Sequence, residues 1–395
     1  MPPSSTFPLI GILGGGQLAR MLALAGIPLG LRFRVLDPAP AVPAADVADH
    51  IQGDYTDPDA LARFAEGLSV ITYEFENVPA RCLTHLGSIL PASVPIYPPP
   101  AALSIGQDRL LEKQLFRSLD IPVANFADIT SLDDLHHHTH PSRIGLPSIL
   151  KTRTLGYDGK GQAVLRPEHA SSLASIYHAL NPSGTTPLIL EEFIPFQAEA
   201  SILALRTIHG EIRTYPLIRN VHSSGILRRS CAPFSSFSSD LPFNPADLQQ
   251  QAVTAATRLL NHFRYVGLLT VEFFIKDGIL IANEIAPRVH NSGHWTIEGS
   301  ISSQFENHIR AVAGLPLGDT AMITPDTCAH LANLVGDLPD IADPAGFLTI
   351  PGCHLHLYGK SPRSARKIGH ATMLGAPTDP RAVKMHEIAS SLWKV

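Results

Sequence analysis

The apolar positions of the N-terminal hundred residues come in short runs separated by turns and helices. Residues 8–13 (PLIGIL) form an apolar run of strand length, closed by Gly14, Gly15 and Gly16. An apolar helix follows from about Gln17 to Ala25. The next strand, FRVLD, ends at Asp37, and a later one, SVITYEF, ends near Glu74 and Glu76. Buried runs alternating with helices predict a doubly wound parallel sheet covered on both faces. Prolines 98–100 close this unit. Leu111, Leu115 and Leu119 recur at helical spacing and predict a bridging helix within 101–119.

The pattern then changes. Residues 147–166 read as strand, Gly-rich loop, strand, and 188–194 as another apolar strand carrying Glu191 and Glu192 at its end. A hairpin pattern at 201–219 turns around His209–Gly210. FSSFSSD at 234–240 reads as a surface loop, and ADLQQQAVTAATRLLNHF as a helix. Strands 267–275 and 279–283 flank Lys276, Asp277 and Gly278, and a helix runs from about Ser300 to Ala313. The tail beyond about 320 reads as short strands and loops. HHHTH at 136–140 has no acidic or Cys partner nearby and reads as an exposed loop or helix end.

Length and composition narrow the class. A chain of 395 residues predicts two or three domains. With 45% hydrophobic and 16% charged residues, it excludes wholesale disorder. A net charge of −5 gives no electrostatic reason to bind nucleic acid or an anionic membrane. Cys82, Cys231, Cys328 and Cys353 are scattered and read as reduced thiols. The first nineteen residues are uncharged but lack a basic start, and Gly14–Gly16 interrupts them, which makes a poor signal peptide. The longest uncharged stretch, Leu83–Gln107, carries five prolines and cannot be a plain membrane helix. A soluble, cytoplasmic protein is expected.

Four places carry candidate chemistry. Gly14-Gly15-Gly16-Gln17-Leu18-Ala19 fits G-x-G-x-x-G/A, and Asp37 lies 21 residues past Gly16. Glycines let backbone approach a phosphate at a helix N-terminus. A dinucleotide, another phosphate ester and a structural turn all fit that pattern. The loop Lys151 to Gln162 holds Gly156, Gly159 and Gly161 between Lys151 and Lys160. Backbone donors beside point charges suit a polyphosphate, and a plain hairpin tip is the alternative. Glu191, Glu192, Phe193 and Ile194, with Glu199 beyond them, could offer backbone to an adenine edge and a carboxylate to a ribose, or could be solvated strand-end acids.

The fourth place is Glu272 and Glu284 on the strands around Lys276-Asp277-Gly278. A two-residue turn would put Glu284 opposite Val271, with the two acids on opposite faces. A three-residue loop would put Glu284 opposite Thr270, diagonal to Glu272 on the same face. Only the second register lets both reach Mg²⁺, which takes few protein carboxylates and keeps water and phosphate ligands. Asn283 to Trp295 then forms a dense polar loop with Arg288, His290 and Asn291. Lys360, Arg363, Arg366 and Lys367 form a cation run that suits an anion or a solvated face.

Together these segments resemble the ATP-grasp superfamily. Within it they resemble the branch that carboxylates 5-aminoimidazole ribonucleotide in purine biosynthesis. The carrying segments are GGGQLARM (14–21), KTRTLGYDGKGQ (151–162), EEFIPFQAEAS (191–201), GILRRS (225–230), NEIAPRVHNSGHWT (283–296) and YGKSPRSARKIGH (358–370). The resemblance implies a preATP-grasp domain over 1–107, a lid over 108–195 and an antiparallel-sheet catalytic domain over 196–395 with a small subregion from about 325. It implies ATP, Mg²⁺ or Mn²⁺, and bicarbonate as co-substrate, with carboxyphosphate as intermediate.

The implied ATP site is Arg109, Lys151, a flap of Gly156, Tyr157, Asp158, Gly159, Lys160, Gly161 and Gln162, then Glu191, Glu192, Phe193, Ile194, Glu199, His222, Asn283 and Glu284. Glu272 and Glu284 would hold the metal. Gln17, Leu18, Glu74, Tyr157, Arg288, Asn291, Lys360, Arg366 and Lys367 would bind the ribonucleotide. Arg288, His290, Asn291, Asp158 and Lys360 would act in catalysis. Ala286 stands where many superfamily members carry a third metal ligand, Asn. A homodimer and a downstream mutase as pathway neighbour are also implied. The alternatives are a formate-dependent phosphoribosylglycinamide transformylase and, in another class, an NAD-dependent oxidoreductase resting on Gly14–Ala19 and Asp37.

Overall fold

The computed structural model describes residues 7–156 and 160–393. Strands β1 (Leu9–Leu13), β2 (Arg32–Asp37), β3 (Asp49–Gln52) and β4 (Val70–Tyr73) form a parallel sheet in the order β3-β2-β1-β4. β1 and β4 are wholly buried, as expected of parallel strands covered on both faces. The order reverses between β1 and β4. In open α/β sheets ligands enter at such a point, beyond the carboxyl ends of the strands. There lie Gly14–Gly16 after β1 and Glu74–Glu76 after β4.

The second sheet is antiparallel: β5 (Phe126–Ile129), β6 (Ser148–Thr152), β7 (Gln162–Leu165) and β8 (Leu188–Glu192), ordered β5-β8-β6-β7. The glycine-rich loop joins β6 to β7, and its residues 157–159 lie outside the described residues.

The third sheet has nine strands. β9 (Ala198–Arg206), β10 (Ile212–Thr214), β11 (Ile218–Ser223), β12 (Ile226–Ala232), β13 (Gly267–Lys276) and β14 (Ile279–Ala286) are joined by β15 (Cys328–Val335), β16 (Cys353–Leu357) and β17 (Lys367–Gly375). The path is β14-β13-β9-β11-β12-β15-β17-β16, with β10 beside β9. The tail therefore extends the central sheet with strands of up to nine residues.

The tail also carries a helix, Pro380–Ser391, where the sequence pattern suggested none. Its buried positions are Ala382, Met385, His386 and Ala389, too small and polar to give an apolar stripe. The helix expected over 300–313 is shorter, Gln304–Val312, preceded by a single turn at Thr296–Gly299. The 234–240 loop contains a buried Phe234. The three histidines His136–His138 form the last turn of the helix Leu132–His138, where the negative end of the helix dipole suits them.

One hydrophobic cluster joins Leu18, Met21 and Leu22 of the helix Gln17–Gly26 to Phe305 and Ile309, and to Leu203, Leu268 and Trp295 under the central sheet. This shared core holds the glycine turn of the first sheet over the 288–294 loop of the third.

Candidate active site

The hairpin β13–β14 places the two carboxylates. Asp277 (φ 51°) and Gly278 (φ 77°) are both left-handed, as a type I′ turn requires. Lys276 pairs with Ile279, so the turn has two residues. A regular ladder would then set Glu284 opposite Val271. Instead the register shifts between Phe273, which faces Ala282, and Glu272, which faces Glu284. Asn283 is the extra residue of a β-bulge. The two-residue turn considered from the sequence is correct, but neither placement of Glu284 that was considered is. The two acids are direct cross-strand partners, about 4.5–5.5 Å apart at Cβ, and Asn283 and Glu284 both line the cleft although adjacent in sequence.

The bulge is held from outside the sheet. Lys113 Nζ donates to the Asn283 carbonyl at 2.5 Å, and the Ile285 N–H donates to Glu112 Oε1 at 2.6 Å. Both side chains come from the helix Arg109–Ser118, and both are 2% exposed. Of the leucines whose spacing predicts this helix, Leu111 is exposed; Leu110, Leu115 and Phe116 pack inward beside Glu112 and Lys113. Burial pushes the Glu112 carboxyl up to about 8, against the pull of Lys113. Lys113 also lies 3.5 Å from Glu191, which Lys151 meets at 3.0 Å. Burial disfavours the Glu191 anion, but these two lysines outweigh it and hold the carboxyl well below its usual range.

Glu272 and Glu284 are electrostatically unequal. Burial alone would raise Glu272, but His290, His222 and Lys367 hold it charged. Glu284 is raised, by its depth in the cleft and then by the like charge of Glu272. Cleft solvent reaches Glu284, which moderates the effect of burial and leaves the like charge of Glu272 as the main cause. Paired carboxylates at the floor of a cleft have the donor chemistry of a Mg²⁺ site.

A relay of hydroxyls and one amide orients His290. Ser230 donates to Asn220 Oδ1 (2.8 Å), Asn220 Nδ2 to Ser201 Oγ (2.9 Å), and Ser201 to Ser292 Oγ (2.8 Å). The Ser292 hydroxyl proton is then left for His290 Nδ1, 2.9 Å away. Nδ1 accepts, so Nε2 carries the proton toward Glu272 Oε1 at 3.1 Å. His222 stands 3.0 Å from Glu199 and 3.8 Å from Glu272. Burial opposes its charge, and the carboxylates around it raise its pKa.

These groups line a cleft of about 330 Å³ with Arg109, Lys151, Gly156, Lys160 and Gln162. Arg109 donates to the Thr152 carbonyl at 2.8 Å and the Gly156 carbonyl at 2.5 Å, fixing the base of the glycine-rich loop. Arg153 pairs with Asp108 at 2.5 Å. Among the expected ATP-site residues, Glu191 is occupied by lysines, Glu192 by Asn125 at 2.7 Å and Glu199 by His222. Glu192, Phe193 and Ile194 are not among the lining residues of this cleft. Gly161 (φ 70°) sits against Thr152. Tyr157, Asp158 and Gly159 lie outside the described residues.

A second cavity of about 500 Å³ opens at the parallel sheet. Gly14 is left-handed (φ 99°), and a Cβ there would meet the Glu74 carboxylate at 2.8 Å. The Gly15 N–H donates to Asp37 Oδ2 at 2.9 Å, and the Gly16 N–H to Glu74 Oε1 at 2.8 Å. Asp37, the residue a dinucleotide would need for its ribose, is thus spent on the turn itself and on the Ala39 N–H (2.9 Å). The NAD reading loses its second support. Burial raises Glu74, while the Gly16 amide and Lys360 lower it, and the net direction is upward.

Lys360 Nζ donates to Gln17 Oε1. Burial and the neighbouring cations Arg366, Lys367 and Arg363 push Lys360 down to about 8, against Glu74. Lys360, Lys367, Tyr358, Gln17 and Leu18 line this cavity, whereas Arg366 does not and instead donates to the Ser361 carbonyl.

Glu76, Arg288, His290, Asn291 and Lys367 line both cavities. Arg288 binds Glu76 Oε2 through Nε (3.0 Å) and a terminal nitrogen (2.5 Å), tying the third sheet's loop to the first sheet. The sequence marked Glu76 only as the end of a strand, and Glu112 and Lys113 not at all. An adjacent Glu-Lys pair inside an amphipathic helix was the available signal for the last two.

Residues 8–107 match the ribonucleotide synthetase preATP-grasp domain, 114–305 the ATP-grasp domain, and 329–382 the phosphoribosylaminoimidazole carboxylase C-terminal domain. The chain is 49% identical, over 92% of its length and 94% of the relative's, to N5-carboxyaminoimidazole ribonucleotide synthase of Pseudomonas aeruginosa. The crystal structure of N5-carboxyaminoimidazole ribonucleotide synthetase from Thermus thermophilus is 45% identical, with a TM-score of 0.84 over 98% of this chain and 99% of that one. A synthase from Aspergillus clavatus in complex with ADP and 5-aminoimidazole ribonucleotide is 28% identical, with a TM-score of 0.83 over 98% and 99%.

Proposed function

The chain belongs to the N5-carboxyaminoimidazole ribonucleotide synthases of the ATP-grasp group, and we propose that its joined cavities carry out that reaction. Bicarbonate oxygen attacks the γ-phosphorus of ATP, the bond to the β-γ bridging oxygen breaks, and ADP leaves. The resulting carboxyphosphate meets the exocyclic amine of 5-aminoimidazole ribonucleotide. Nitrogen attacks the carboxyl carbon, inorganic phosphate leaves, and the amine gives up one proton. The product is N5-carboxyaminoimidazole ribonucleotide, an intermediate of purine biosynthesis.

The observation that carries this reading is the wall shared by the two cavities. The nucleotide would occupy the 330 Å³ cleft and the ribonucleotide the 500 Å³ cavity. The mixed anhydride formed on one side then meets the amine without crossing bulk water.

Lys151 and Arg109 would face ATP phosphates beneath the 156–162 flap. Glu199 with His222 would meet the ribose side, and adenine would extend beyond the cleft's lining toward the backbone of Glu191 to Ile194. Glu272 and Glu284, with Asn283 beside them, would hold Mg²⁺, whose charge would offset that of the phosphate oxygens during transfer. Arg288 and Asn291 would orient bicarbonate. His290, its Nε2 proton directed at Glu272, would hold that carboxylate in its charged form. Lys360 and Lys367 would neutralise the ribonucleotide phosphate with Arg366 nearby, and the amides of Gln17 and Leu18 would assist at a helix N-terminus. Glu74 would accept from the ring or its amine.

Cytoplasmic work, a homodimer and a downstream mutase that takes the labile product belong to the same reading. Among the described residues no helix is long and apolar enough to cross a membrane.

The test is ADP release with ATP, Mg²⁺ and bicarbonate, with and without 5-aminoimidazole ribonucleotide. Stimulation by that amine is expected. Stimulation by glycinamide ribonucleotide with formate in its place would assign the transformylase reaction instead.

A further inference from the structure

Away from both cavities, Cys231 on β12 stands directly opposite His330 on β15. Directly paired residues point to the same face of a sheet. The C-terminal helix Pro380–Ser391 lays His386 on that face, its ring 6.1 Å from that of His330. One donor atom from each of the three lies within 4.8 Å of the others.

The surroundings are those of a ligand set. His330 and His386 are 3% and 8% exposed. His330 Nε2 sits 2.9 Å from the Ala376 carbonyl. A carbonyl can only accept, so that nitrogen carries the proton and Nδ1 keeps its lone pair. Metal-bound histidines are commonly oriented in this way. His386 Nδ1 is buried with no hydrogen-bond partner, which a packed core rarely tolerates. Cys231 is only partly buried, which leaves solvent a path to the cluster.

We propose that Cys231, His330 and His386 form a Zn²⁺ site, with water as the fourth ligand, that fastens the C-terminal helix to β12 and β15. One thiolate and two neutral imidazoles are a borderline-soft set that suits zinc and not magnesium. Tetrahedral bonds of roughly 2.0–2.3 Å bring ligand atoms to roughly 3.3–3.8 Å apart. The cluster would therefore contract by about 1 Å on binding. As the Zn–S bond forms, the Cys231 thiol loses its proton to solvent. The charged neighbours are Arg219 and Arg229 beside Cys231, Arg229 also beside His386, and Asp379 beside His330.

The experiment uses the full-length, metal-free protein titrated with Co²⁺ as a visible stand-in for Zn²⁺. The expected result is one equivalent giving a sulfur-to-cobalt charge-transfer band in the near ultraviolet, abolished by equimolar Zn²⁺. Cys231→Ser should lose the band and keep wild-type turnover with Mg²⁺, which shows that it folds. His386→Gln should weaken Co²⁺ binding at least tenfold. Co²⁺ held by Glu272 and Glu284 gives no sulfur band, so the two sites are separable. Absence of the band in the wild type, or its survival in Cys231→Ser, overturns the site.

Discussion

After β1, Gly15 and Gly16 aim their amides at Asp37 and Glu74, so each carboxylate there already has a donor. Across the shared wall, Glu272 and Glu284 oppose each other on adjacent strands. The glycine turn is complete within the protein, and a ligand there only adds to it. At the hairpin, Arg109 and Lys151 do not outweigh the burial and the like charge that disfavour the Glu284 anion. Residues around the turn should therefore govern how well the ribonucleotide binds, and residues around the hairpin whether chemistry occurs.

The largest effect is expected from Glu284→Gln. Losing metal charge at the transferring phosphoryl group should cost several kcal/mol, about a thousandfold or more in kcat. Because the like charge of Glu272 already disfavours the Glu284 anion, the metal-free variant should melt no lower than the wild type. Steady-state kinetics beside thermal melting reads both. A variant that loses stability and keeps turnover would break the comparison.

Next is Lys113→Met, which strands the Asn283 carbonyl and removes one of two cations from Glu191. Removing one partner from a buried ion pair typically costs about 3–5 kcal/mol. Urea unfolding should show a loss of that order, together with a lower kcat and little change in KM for the ribonucleotide.

Lys360→Ala should be milder, about 10–100-fold in KM for 5-aminoimidazole ribonucleotide, the worth of a charged hydrogen bond. KM for ATP should move less than twofold. The wild type adds a pH signature. Because Lys360 is lowered to about 8, it is cationic below that pH and neutral above. Ribonucleotide KM should rise as pH passes through about 8, and Lys360→Ala should flatten that rise. An equal rise in ATP KM would remove the distinction between the two cavities.

The glycine turn was legible because its demand is local. Gly14 needs φ > 0, a strand precedes it and a helix follows. The Asp277-Gly278 hairpin was legible for the same reason. The meeting of Glu272 and Glu284 was not, because it depends on a bulge secured by Glu112 and Lys113 from a helix some 170 residues earlier in the chain. The leucine spacing within 101–119 showed a helix, but not that Glu112 and Lys113 turn inward beside Leu110, Leu115 and Phe116. The helix Pro380–Ser391 was hidden by its small buried residues. The ATP-grasp segments, by contrast, marked the fold and reaction class before any geometry, and the parallel and antiparallel sheets follow them.

The five residues common to both cavities bear on stoichiometry. An enzyme that makes a labile anhydride in one room and uses it in the next is judged by ADP formed per molecule of product. That ratio belongs to the doorway and to neither room. Glu76 and Arg288, which pin the doorway from opposite sheets, are where coupling between ATP consumption and carboxylation would slip first, even with both rooms intact.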